Sequence, residues 1–229
     1  MHQDYIMRMI QQLSGFLVRV LRLREEGDTA GALSELQDAY GRLAGLPASL
    51  VYALSEDDLI ALLRSQGRLD PERCFALAEL LREEGHVYED LGEQAESHRR
   101  YVKALRLYLE ALEELDELPA PLDVTGLEDV VERIGDEDLS ASTRRRVVQY
   151  LVNTGRFDRA ENVVLWSLES PDLDGAKRRE AVAFYESLLR KPDDELVAGG
   201  LPRDEVEAGL SRVRSPRALP VASNADASG

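Results

Sequence analysis

Residues Ala78–Ala111 read AELLREEGHVYEDLGEQAESHRRYVKALRLYLEA, and their spacing decides the fold. Cys74, Leu77, Ala78, Leu81, Gly85, Tyr88 and Leu91 recur every three or four residues, which puts them on one face of a helix. Tyr101, Ala104, Leu105, Tyr108, Leu112 and Leu115 do the same in the following segment. Between the two stripes stands Leu91-Gly92, where glycine can take the left-handed conformation that ends a helix. The stretch predicts two antiparallel amphipathic helices, with Gly85, Ser97 and Ala104 small enough to let their axes approach closely.

The same features continue outward. An apolar-rich helix is predicted from about Gln3 to Glu26, stopped by Gly27 and followed by an Asp28 cap. Its apolar residues cover more than half its circumference, which predicts deep burial or a contact with another subunit. A helix through Leu43, a short one over Leu59–Ser65 after the Ser55 cap, and the Asp70-Pro71 start of the central pair come next. Pro119-Ala120-Pro121 breaks the pattern, and Thr125-Gly126-Leu127-Glu128 is a capping box for a helix to about Ile134. A third pair is predicted over Thr143–Asn153 and from Phe157 to Leu168, with Gly155 as its turn. Helices at about Ala176–Arg190 and Asp204–Val213 close the series, and 214–229 has the composition of a disordered tail.

Around Gly92 this pattern resembles the tetratricopeptide repeat. Leu81, Gly85, Tyr88, Gly92, Ser97 and Tyr101 stand at the family's bulky, small, aromatic, turn, small and aromatic positions. The turn glycines Gly27, Gly92 and Gly155 are separated by 65 and 63 residues, instead of the family's period of about 34. The resemblance therefore implies a degenerate array: an all-α, right-handed superhelix of antiparallel helix pairs, in one domain over 1–213 with its central repeat at about 78–111. The opening DYIMRMI, LSEDDLIALL and LREEGHVYEDLGE segments also resemble a small bacterial group of uncharacterised repeat proteins, which brings no activity with it.

Composition narrows the function. A formal net charge of −16 repels phosphate backbones, which argues against nucleic-acid binding. A single cysteine, Cys74, sits on an apolar stripe and points to a reducing cytoplasm. Charged and amide residues interrupt the first helix, so neither a signal peptide nor a membrane span is expected there. Glu83-x-x-His86 has the spacing of di-metal helical bundles, but His98 lacks a glutamate three residues before it. No phosphate loop, nucleophile elbow or zinc spacing occurs, so no enzyme, cofactor or metal is expected. Arg99, Arg100, Lys103 and Arg106 read as a solvated outer face laced with weak ion pairs. Ser142–Arg146 superficially resembles the start of a winged helix, yet the apolar Val163-Val164-Leu165-Trp166 that follows suits a core.

These observations point to a protein–protein interaction module, with a homodimer through the first helix as the alternative and a metal-dependent enzyme as a distant third. In the tetratricopeptide family the first helix of each pair lines a concave groove. Carried onto this chain, that register selects Glu79, Arg82, His86, Glu89 and Asp90 in the central pair, and Arg145, Gln149 and Asn153 in the third. The implied partner is a protein or peptide whose basic portion meets the acidic set and whose carboxylate or polar portion meets Arg145.

Overall fold

A computed structural model describes residues 2–65, 67–114, 125–135, 139–169 and 175–215. The helices are α1 (His2–Glu25), α2 (Thr29–Ala39), α3 (Ala48–Ala53), α4 (Glu56–Leu63), α5 (Pro71–Asp90), α6 (Gln94–Glu114), α7 (Thr125–Ile134), α8 (Ala141–Asn153), α9 (Phe157–Glu169), α10 (Gly175–Leu188), α11 (Asp193–Ala198) and α12 (Arg203–Arg214). A π-helical turn, Tyr40–Ala44, continues α2. The other regular structure described is a hairpin of two-residue strands, Arg64–Ser65 and Arg68–Leu69. The all-α expectation holds. Leu115, the break at Pro119–Pro121 and the tail beyond Ser215 lie outside the described residues. The helices gather into two compact units, Met1–Ile134 and Gly135–Gly229, so the 1–213 range takes in both.

Local signals place the helix ends. Asp28, Ser55, Asp70 and Ser140 each accept a hydrogen bond from a backbone N–H of the helix they precede. Gly92 has φ 75°, and the next residue, Glu93, returns its N–H to the Tyr88 carbonyl at 2.9 Å. Gly27 and Gly155 close α1 and α8 in the same way, through Asp28 to Leu23 (2.8 Å) and Arg156 to Leu151 (2.8 Å).

In unit 1 the hub is α5, buried almost from end to end. Its contacts with α6 run in opposite directions: Cys74 Sγ reaches the Leu107 carbonyl, Glu79 meets Tyr108, and Gly85 lies under Tyr101. A Cβ at Gly85 would sit 2.5 Å from the Tyr101 ring, so close approach requires glycine there. Phe75 and Tyr108 pack edge to face at 5.3 Å.

Set into this core is a buried ionic node. Glu84 is fully buried and accepts hydrogen bonds from Tyr40 (2.5 Å) and Tyr52 (2.6 Å). Arg100 Nε lies 3.1 Å from Glu84 Oε2, close enough for an ion pair though not aligned as a hydrogen bond. The Arg100 guanidinium also stacks 4.2 Å from the Tyr52 ring centroid and 5.2 Å from that of Tyr88. Burial opposes the Arg100 charge, but Glu84 and the tyrosines outweigh it and hold Arg100 above its ordinary pKa. Burial, then Glu84, push Tyr40 well above its ordinary value.

Here the outer-face reading is corrected. Arg99 is exposed, but Arg100 and Lys103 are buried. Lys103 Nζ donates to the carbonyls of Val51 (2.9 Å), Tyr52 (3.2 Å) and Leu54 (2.6 Å), so it caps the C-terminal end of α3. The helix α3 itself was not anticipated, and it is what covers these side chains.

In unit 2, α9 is flanked by α8 and α10. Tyr185 of α10 packs on Gly209 of α12 and donates to Glu161 of α9 at 2.7 Å. The Gly199 carbonyl after α11 accepts both the Phe157 and Asp158 N–H groups at 3.1 Å, which satisfies the open start of α9.

Two substitutions test this packing. Gly85→Ala should destabilise by roughly 1–3 kcal/mol through overpacking, although alanine is intrinsically the better helix former. Gly41→Ala, where an added Cβ meets nothing within 4 Å, should be neutral or stabilising in the same urea titration. Glu84→Leu strands a buried guanidinium and should cost toward the lower end of about 3–5 kcal/mol, because Arg100 keeps Glu96 at 3.5 Å. A Glu84→Leu protein as stable as the parent would rule out this account of the node.

Candidate functional site

A well-formed open groove lies in unit 2. Two walls, α8 and α10, enclose a groove of ≈ 620 Å³ whose floor includes α9. On α8 the lining residues fall at helical spacing: Arg144 and Arg145, then Val148 and Gln149, then Val152 and Asn153. The opposite wall carries Glu180, Ala181, Phe184 and Ser187, with Lys191 just past the end of α10. Val164 and Ser167 of α9 complete the lining. The lining is therefore apolar through Val148, Val152, Val164 and Phe184, with Arg145, Gln149, Asn153 and Glu180 as its exposed polar groups.

The polar groups of the lining are ordered. Arg145 pairs with Glu180 across the groove at 2.5 Å. Gln149 Nε2 donates to Asn153 Oδ1 at 2.8 Å, so the two amides stand side by side along α8. Arg144 is buried and donates to the Leu139 carbonyl at 3.2 Å. Lys191 pairs with Glu195 at 3.1 Å. Such a surface can bury an apolar side chain while offering guanidinium, ammonium and amide donors to a polar one.

All three residues selected in the third pair, Arg145, Gln149 and Asn153, line this groove. Glu180, Phe184 and Lys191 were not selected. Phe184 lies within the predicted Ala176–Arg190 helix, but its facing α8 depends on how α9 orients both walls.

The five residues selected in the central pair have partners inside unit 1. Glu79 accepts from Tyr108 at 2.7 Å and pairs with Arg82 at 2.9 Å. Arg82 also pairs with Glu83 (2.8 Å) and with Asp129 of α7 (3.3 Å). His86 is 2.8 Å from Asp129 through Nε2 and 3.5 Å from Glu83 through Nδ1. Glu89 pairs with Arg133 of α7, and Asp90 with Arg24 of α1 at 2.6 Å. Gly126 seats the start of α7, since a Cβ there would fall 2.5 Å from both Glu79 and the Tyr108 hydroxyl. This polar face of α5 is thus occupied by α7 and by the end of α1.

Burial alone would lower the His86 pKa, but its hydrogen bonds to Asp129 and Glu83 outweigh burial and raise it. Burial would likewise raise Asp129, but bonds from His86 and Arg133 hold its carboxyl well below the ordinary range. Among the described residues no group of three or more His, Cys, Asp or Glu could hold a metal ion. Cys74 is buried, and that burial pushes its thiol up, away from the reactive thiolate. No described helix is long and apolar enough to cross a membrane.

The chain belongs to a family of unknown function (DUF6483), whose model matches residues 1–217. No curated protein and no solved structure matches it.

The His86 contacts predict a pH dependence. Because the folded-state pKa is raised, the stabilisation is fully present below the unfolded value of about 6.5 and is lost as pH rises through the folded value. Denaturation of the parent and of His86→Gln, compared at about pH 6 and pH 8.5, should show the parent's advantage shrinking toward alkaline pH. A constant difference would mean that His86 does not carry the charge in this pair.

Proposed function

We propose that this member of the family is a non-enzymatic protein–protein interaction module or scaffold, acting in the cytoplasm without a cofactor, and that it binds a partner segment in the unit 2 groove. The observation that carries the reading is the groove itself. Its apolar lining is open, its polar groups are ordered, and α8 supplies the three residues selected from the sequence. The degenerate tetratricopeptide-like character of the helix pairs belongs to the same proposal. It is supported by the shared glycine closures and by the Gly85–Tyr101 contact.

The alternative, a structural homo-oligomer built through α1, is favoured by one observation. Val18 and Leu21 lie one helical turn apart on α1 and are 67% and 50% exposed. Met9 and Phe16, by contrast, are buried within unit 1 and are unavailable to a partner subunit.

Two measurements separate these readings. A photo-crosslinking residue at Gln149 should capture a host protein, and Arg145→Glu should then weaken that protein's binding about tenfold or more. Arg99→Glu on α6 should leave it unchanged. Loss of binding only with the α6 variant would place the contact elsewhere. In sedimentation, a parent that is already monomeric at micromolar concentration excludes the oligomer; a dimer dissociated by Val18→Glu with Leu21→Glu would establish it.

A further inference from the structure

We infer that the unit 2 groove is built for an acidic, extended partner segment that sinks a bulky apolar side chain between Val152 and Phe184 and sets carboxylates against Arg145 and Lys191. The inference rests on the interaction-module reading and adds the chemistry of the partner.

Charge carries the first part. The chain holds 44 acidic and 28 basic residues, yet Leu139–Phe157 contains no acidic residue and four arginines. That run includes the whole of α8. Around the groove, Arg145 and Lys191 supply the accessible positive charge, paired at the surface with Glu180 and Glu195, while Arg144 is buried. In a molecule that repels anions at large, this wall is a local reversal of sign, and a basic segment would gain nothing from it. Glu180 occupies Arg145 at 2.5 Å, as a carboxylate supplied by a partner would.

Shape and hydrogen bonding carry the rest. The α10 wall contributes the small residues Ala181 and Ala183 to the lining, and α9 contributes Val164. Gln149 and Asn153 satisfy one donor and one acceptor between them, so each amide retains capacity for a backbone N–H and carbonyl. An extended segment exposes those groups, whereas a helix has already paired its own. A volume of ≈ 620 Å³ suits a short stretch of chain with one anchoring side chain.

The test begins with a random peptide display library selected on the immobilised full-length chain. Binding of the selected peptides is then measured by fluorescence anisotropy. The expected winners combine Asp or Glu with a bulky apolar residue and weaken at about 0.5 M salt. Arg145→Gln should weaken them about three- to tenfold. Glu180→Gln should tighten them about two- to fivefold by releasing Arg145. Both side chains are largely exposed, at 66% and 43%, so the substitutions leave the core intact. A charge-inverted peptide should bind Arg145→Glu better than the parent. Winners rich in Lys or Arg that lose affinity in Glu180→Gln would overturn the acidic partner while leaving the groove as the binding site. A selection whose winners bind Val152→Asp and Arg145→Gln as well as the parent, or that yields no winners, would overturn both.

Discussion

Four elements of unit 1 meet at a carboxylate that has no access to water, Glu84 of α5. Burying a carboxylate is tolerable only if opposite charge and hydrogen-bond donors meet it, because desolvation alone costs several kcal/mol. The partners come from separate parts of the chain: Tyr40 from the π turn after α2, Tyr52 from α3, and Arg100 from α6. Satisfying one side chain therefore fixes several elements at once. A hydrophobic substitute could fill the same volume, but it would not impose the same choice of neighbours. Lys103 extends the arrangement by taking the open carbonyls at the end of α3, which keeps that short helix in place above the node.

The opposite polar face of α5 shows how a surface read from one helix becomes an interior seam. Glu79, Arg82, His86 and Glu89 lie off the apolar stripe, and helix periodicity alone assigns them to solvent. Here α7 brings Asp129 and Arg133 to them, and α1 brings Arg24 to Asp90. Each charge of the seam has a near partner of opposite sign, so none is stranded. Hydrogen bonds to charged groups in partly buried positions are worth more than surface pairs, which makes this seam a structural element as much as a polar face.

Unit 2 leaves its corresponding face open for a physical reason. Its core is made where α9 meets α8 and α10, while α12 packs on α10 through Gly209 and Tyr185. Across the groove, Arg145 and Glu180 are joined by an ion pair between exposed side chains. A pair of that kind contributes little to stability. The walls can hold their positions through α9 while the space between them stays available to a ligand.

The positions of the long helices and several of their ends were determined by the sequence alone, because they depend on contacts between residues three to five apart. The six-residue helices α3 and α11 were not anticipated, and α4 starts three residues earlier than expected. The stripe through Leu77, Leu81 and Gly85, the caps at Asp28, Ser55 and Asp70, and the turns at Gly27, Gly92 and Gly155 are all local chemistry. The close approach at Gly85 was legible too, since a glycine on an apolar stripe lets two helix axes come near; that Tyr101 fills the space was not. On the site, Arg145, Gln149 and Asn153 could be selected because they share one side of one helix. What tertiary structure decided was whether each polar side chain faces water or another helix. Arg100 and Lys103 look like Arg99 and Arg106 in sequence, yet α3 covers the first two. His86 looks like a groove residue, yet α7 lies against it. Burial of a charge depends on partners tens of residues away, such as Tyr40 for Glu84 or Asp129 for His86. No periodicity within one helix records where those partners will be.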